Sequence, residues 1–97
     1  MNQPVNPPIP PEESLIQYPC EFPIKVMGPH TEAFVEEIIA RVIALDPSFD
    51  ASTRLTRRAS SSGTYLSLTV TVMATSRAQL DDIYRAVTSH PQVKYVL

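Results

Sequence analysis

His30 and His90 are the two side chains best suited to moving a proton near neutral pH, and each has a local structural explanation. His30 opens a predicted helix and His90 lies just past the end of another beside Pro91, so capping or simple exposure accounts for both. No partner nearby in sequence is assigned to either. Cys20 is the single cysteine and has no basic neighbour on either side to lower its thiol pKa, which argues against a nucleophile. Cys and His do not recur at metal-ligand spacing. The carboxylate pairs Glu36-Glu37 and Asp81-Asp82 fall on outer helix faces, where neighbours point about 100° apart and stay hydrated, and Glu12-Glu13 lies in the amino-terminal tail. With only Gly28 and Gly63, a phosphate-cradling glycine loop cannot be built. The sequence therefore predicts no catalytic residue, no metal and no cofactor.

Two places could receive an anion. Arg54, Arg57 and Arg58 precede Ser60, Ser61, Ser62 and Gly63, placing guanidinium groups before hydroxyls and backbone amides on one hairpin. The simpler reading of these arginines is an edge strand protected by charge against sheet-to-sheet pairing. Gly28-Pro29-His30 joins a strand to a helix whose amino end would favour negative charge, although a plain turn also explains it.

The elements that must position these residues follow from periodicity. Phe22, Ile24 and Val26 alternate with Pro23, Lys25 and Met27, as in a strand with one buried face. After Gly28-Pro29, Thr31 or His30 caps a helix in which Phe34, Val35, Ile38, Ile39, Val42 and Ile43 form an apolar face. Buried fully, each would contribute roughly 1.5 to 3 kcal/mol before chain entropy is set against it. Asp46-Pro47 ends that helix, because the residue before proline is steered out of the helical region. Residues 51–58 alternate weakly through Thr53 and Leu55 and read as an edge strand. A Ser-rich turn over 59–63 then leads into Tyr65 to Met73, where Leu66, Leu68, Val70 and Val72 point inward and Ser67, Thr69 and Thr71 outward. Ser76 with Gln79 resembles a capping box ahead of a helix striped by Leu80, Ile83, Tyr84 and Val87, which His90-Pro91 ends. Val93, Tyr95 and Leu97 supply the last strand.

Strand, helix, strand, strand, helix, strand is the split βαβ plan: an α+β, ferredoxin-like βαββαβ sandwich with sheet order 4-1-3-2 and both helices on one face. The open face would carry Lys25, Met27, Ser67, Thr69, Thr71, Lys94 and Val96, a mixed surface on which a homodimer could form. The domain is expected over residues 15–97. Residues 1–14 hold five prolines and are expected to be a disordered tail, with a ligand for an SH3-like or WW-like partner as the alternative.

Net charge of −2 and few clustered cations argue against nucleic acid as a partner. The same fold houses RNA-recognition modules, but the outward positions of the two central strands are read as lacking the aromatics that stack bases. A lone cysteine and the absence of a charged amino-terminal region followed by an apolar run point to the cytoplasm, with no membrane contact.

Three separated segments carry a resemblance: Tyr18-Pro19-Cys20-Glu21-Phe22-Pro23-Ile24-Lys25-Val26-Met27-Gly28, then Ser61-Ser62-Gly63-Thr64-Tyr65 with its alternating strand to Val72, and the closing Val93-Lys94-Tyr95-Val96-Leu97. Over about four fifths of its length the chain resembles the YbeD-like family of small bacterial proteins of unknown function. The resemblance implies a ferredoxin-like fold similar to the regulatory ACT domain, a role in allosteric control, and an association with lipoate metabolism. It carries over no catalytic residue, and the proline-rich start departs from the shorter family pattern. The expectation is a non-enzymatic regulatory module that binds a small metabolite or a regulated protein. Lys25, Gly28, Arg58, Ser62, Gly63 and Tyr65 are the candidate binding residues because they lie in these motifs and near loops. An enzyme of an unrecognised small class and an RNA-binding module are the alternatives.

Overall fold

The computed structural model describes residues 17–97, so the expected tail over 1–14 lies outside the described residues. The elements are β1 (Cys20–Pro29), α1 (Glu32–Leu45), α2 (Ala51–Arg54), β2 (Leu55–Ala59), β3 (Tyr65–Ala74), α3 (Arg77–Thr88) and β4 (Tyr95–Val96). They form an antiparallel sheet in the order β2-β3-β1-β4, which is the ferredoxin-like order read from the sequence.

Alternation decides which side is covered. Ile24 and Val26 of β1 and Leu66, Leu68, Val70 and Val72 of β3 are buried together with Phe34, Val35, Ile38 and Val42 of α1 and Leu80, Ile83 and Val87 of α3. The helices therefore share one sheet face, and the intervening residues form the other. Thr31 rather than His30 caps α1, its hydroxyl accepting from the Phe34 N–H at 3.2 Å.

Three expectations change. On α1, Ile39 is half-buried and Ile43 is 41% exposed. At about 100° per residue, Phe34, Ile38, Val42 and Val35 fill an arc of about 100°, and Ile43 lies about 80° beyond its edge. Residues 51–54 are a short helix and not the start of a strand, because the Asp50 carboxylate accepts from both Ser52 N–H (2.9 Å) and Ser52 Oγ–H (2.7 Å) and turns the chain. The final strand is also read one residue out of register. Val96 pairs with Val26 and packs on the core, Tyr95 pairs with Met27, and Leu97 exchanges backbone hydrogen bonds with Lys25. Tyr95 and Leu97 thus share the open face with Met27 and Lys25, and Val96 does not, since a slip of one residue exchanges the two faces of a strand.

Polar side chains on the helical side fasten these elements together. Asp46 is buried just past α1 and accepts from Ser48 N–H and Ser48 Oγ–H through Oδ1 and from Met73 N–H through Oδ2 at 2.9 Å. Ser76 caps α3 as expected, but Gln79 reaches one residue further back than a capping box requires. Its Oε1 accepts from Thr75 N–H, and its Nε2 donates to the carbonyls of Leu45 and Met73.

Candidate functional site

His90 departs most from expectation: it is 4% exposed and its Nε2 meets Glu37 Oε1 at 2.5 Å. The helical frame makes this contact, because Glu37 lies on α1 and His90 follows α3, and sequence distance hid it. Gln92 N–H donates to Nδ1 at 3.1 Å, so Nδ1 acts as acceptor and Nε2 carries the proton toward the carboxylate. Both ring nitrogens are thereby engaged, and the ring stands edge-on to Phe34 at 5.3 Å. Such an imidazole holds the α3–β4 turn against α1 and has no free nitrogen to offer a substrate. His30 is exposed and uses one nitrogen only, its Nδ1 lying 2.9 Å from the Gly63 carbonyl and therefore donating to it.

The six candidate binding residues divide three ways. Gly28 is a packing position: a Cβ there would overlap the Phe34 ring, with Cε1 2.6 Å away. Ser62 and Gly63 build the β2–β3 turn. Gly63 adopts φ +78°, donates to the Ser60 carbonyl and leaves its own carbonyl for His30, while Ser62 Oγ donates to Thr64 Oγ1 at 3.0 Å. Lys25, Arg58 and Tyr65 point from the open sheet face, as their partners Thr69, Ser67 and Pro29 do.

The three hairpin arginines do not converge. Arg54 belongs to α2 and pairs with Glu21 at 2.9 Å, beside a shallow cleft of about 290 Å³ that Thr53 and Thr71 also line. Arg57 turns to the helical side and meets Glu32 at the start of α1 at 2.5 Å. Its guanidinium donates to Glu32 and holds that exposed carboxyl below the usual range. Arg54 is taken up by Glu21 and Arg57 by Glu32, so the anion site expected from Arg54, Arg57 and Arg58 is not formed.

A larger cleft, of about 370 Å³, opens where β1, the hairpin and the α3–β4 turn meet, lined by Pro29, Thr64, Tyr65, Pro91, Gln92 and Lys94. The Lys94 ammonium lies 5.7 Å from the centre of the Tyr65 ring. Tyr65 is thus an outward aromatic on a central strand, which the sequence reading did not count, but the ammonium covers one of its faces. Pro91, Gln92 and Lys94 carried no signal as site residues, because only the return of the chain after α3 brings them to Tyr65. Among the described residues no three His, Cys, Asp or Glu side chains converge as metal ligands, and no helix is long and apolar enough to cross a membrane.

The profile of a family described as "Protein of unknown function (DUF493)" matches residues 13–97. A UPF0250 protein of Janthinobacterium sp. (strain Marseille) is 61% identical over 87 residues, covering 90% of this chain and 94% of the relative. One from Ralstonia nicotianae is 56% identical over 91 residues, covering 94% and 93%. The solution structure of protein HP0495 from H. pylori aligns with a TM-score of 0.62 over 95% of this chain and 96% of that one, at 16% identity, a likeness of fold.

Proposed function

Because the chain belongs to the DUF493, or UPF0250, family of small bacterial proteins of unknown function, we propose from its geometry that it is a non-enzymatic binding module with a small-metabolite site in the cleft beside Lys94. The observation that carries this reading is the convergence of Pro29, the Thr64-Tyr65 pair and the Pro91-to-Lys94 turn on one cleft. Two proline rings and a phenol offer apolar walls, Thr64 and Gln92 offer hydrogen bonds, and Lys94 supplies the only charge in the lining. That lining suits a small organic anion.

The commitment of both His90 nitrogens and of His30 Nδ1 supports a non-enzymatic role. The His90–Glu37 pair is the observation that favours the enzyme alternative, but His90 lines neither cleft. A regulatory role in the cytoplasm, with a link to lipoate metabolism, remains the reading that the family resemblance adds.

A thermal-shift screen of the full chain against amino acids, nucleotides and lipoyl compounds tests the site, since a ligand at about 100 times its dissociation constant adds roughly 2.7 kcal/mol to the folded state. A compound that raises the melting temperature of the native chain but not of Lys94→Gln supports the cleft. Equal shifts in both, or none from any compound, would remove it.

A further inference from the structure

The eight Lys and Arg side chains are not distributed evenly between the two sides of the sheet. Arg54, Arg57, Arg77 and Arg85 are paired with Glu21, Glu32, Asp81 and Asp82, and Arg41 is bound to the Ala86 carbonyl and Ser89 Oγ. The three whose charged groups have neither a carboxylate nor a hydrogen-bond partner among the described residues are Lys25, Arg58 and Lys94. All three belong to the open sheet face or its rim, Lys25 and Arg58 by register and Lys94 by its place over Tyr65. The carboxylate this face carries by register, Glu21, is taken up by Arg54, so a net charge of −2 for the whole chain conceals a positive face.

The same face gathers apolar surface. Tyr65, Tyr95 and Leu97 are three of the four large apolar side chains that stay exposed among the described residues. Two cross-strand rows organise them. Tyr95, Met27, Ser67 and Arg58 form one, and Leu97, Lys25, Thr69 and Thr56 the other. Strands about 4.8 Å apart place Lys25 and Arg58 roughly 10 Å or more from each other, with half-buried Met27, Ser67 and Thr69 between them. Met27, Tyr65, Tyr95 and Arg58 are of the residue types enriched in protein–protein interfaces.

We infer that the open sheet face is a docking surface for an acidic protein segment, whose carboxylates meet Lys25, Arg58 and Lys94 and whose apolar side chains cover Met27, Tyr95 and Leu97. Charge complementarity selects this occupant. A second copy applied by the same face would bring like charges together. A polynucleotide would find no aromatic outward on β1, one face of the Tyr65 ring covered by an ammonium, and Tyr95 set apart on the edge strand β4.

A fluorescently labelled random copolymer of glutamate and tyrosine is the probe, titrated into the full chain and followed by anisotropy, with poly-uridylate in parallel. The copolymer is expected to bind at about 50 mM NaCl and to lose about tenfold or more in affinity at about 300 mM. Lys25→Glu with Arg58→Glu should weaken binding at least about tenfold, whereas Glu36→Lys on α1 changes it by less than about twofold. Carbodiimide, which joins amines to carboxylates, should couple the copolymer at Lys25 and Lys94. No binding at low salt, indifference to the double charge reversal, or tighter binding of poly-uridylate would each overturn the inference. So would self-association, measured by sedimentation, that Arg58→Glu abolishes.

Discussion

The two sides of the sheet treat polar groups in opposite ways. On the helical side Asp46, Gln79, His90 and Arg57 are each turned to a named partner, and the buried ones join elements distant in sequence. On the open side Arg54 and Glu21 pair at one end, whereas Lys25 and Arg58 face solvent without a carboxylate. Polar residues that are satisfied internally hold the fold, and those left free are available to something outside it. That difference explains why both histidines, the residues of most obvious chemical interest, belong to the frame.

The comparison is tested most severely at Phe34. Phe34→Ala empties the space above Gly28 and removes the wall of His90, and should cost about 3 to 5 kcal/mol in urea unfolding. Gly28→Ala is expected to cost about 1 to 3 kcal/mol through overlap with the same ring, a loss that Phe34→Leu in the same chain partly relieves. Asp46→Ala leaves the Met73 and Ser48 N–H groups without their acceptor and should cost about 1 to 3 kcal/mol. The matching change on the other side, Lys25→Ala, should stay within about 0.5 kcal/mol, and a loss as large as that of Asp46→Ala would break the contrast.

The smallest effect is a pH dependence. Arg57 holds Glu32 below its ordinary value of 4.5, and hydrogen bonds from Ser52 hold Asp50 below its ordinary value of 3.8. As pH falls through those ordinary values the unfolded chain takes up protons first, so the stability these carboxylates contribute is present above them. It is lost as pH falls through the folded values. Glu32→Gln should therefore lower the melting temperature slightly at neutral pH, where the contribution is present, and converge with the native chain as pH falls through the folded value, so that the acid limb is flatter.

The strand order, both helices and the inward faces of β1 and β3 were legible because hydrophobic period survives in sequence as a local signal. Where local signals compete, the sequence is less legible. The Thr53 and Leu55 alternation concealed an Asp50 cap, and the final strand was too short for alternation to set its register, which pairing with Val26 determines. Ile43 was assigned to the core because apolar type was counted without its angle around α1. The site was less legible still. Tyr65 and the Pro29 loop were recognised separately, but Pro91, Gln92 and Lys94 reach them only through tertiary return, as Glu37 reaches His90. Contacts across 53 residues leave no periodic trace.

The Gln79 amide joins two elements through a single nitrogen. Its nitrogen donates to two carbonyls that belong to the end of α1 and the end of β3. Spontaneous hydrolysis of that amide to a carboxylate would replace the donor with lone pairs aimed at both oxygens, converting the joint into a point of repulsion. The loosening would begin at this corner, with one unit of negative charge gained and no bond of the main chain cut.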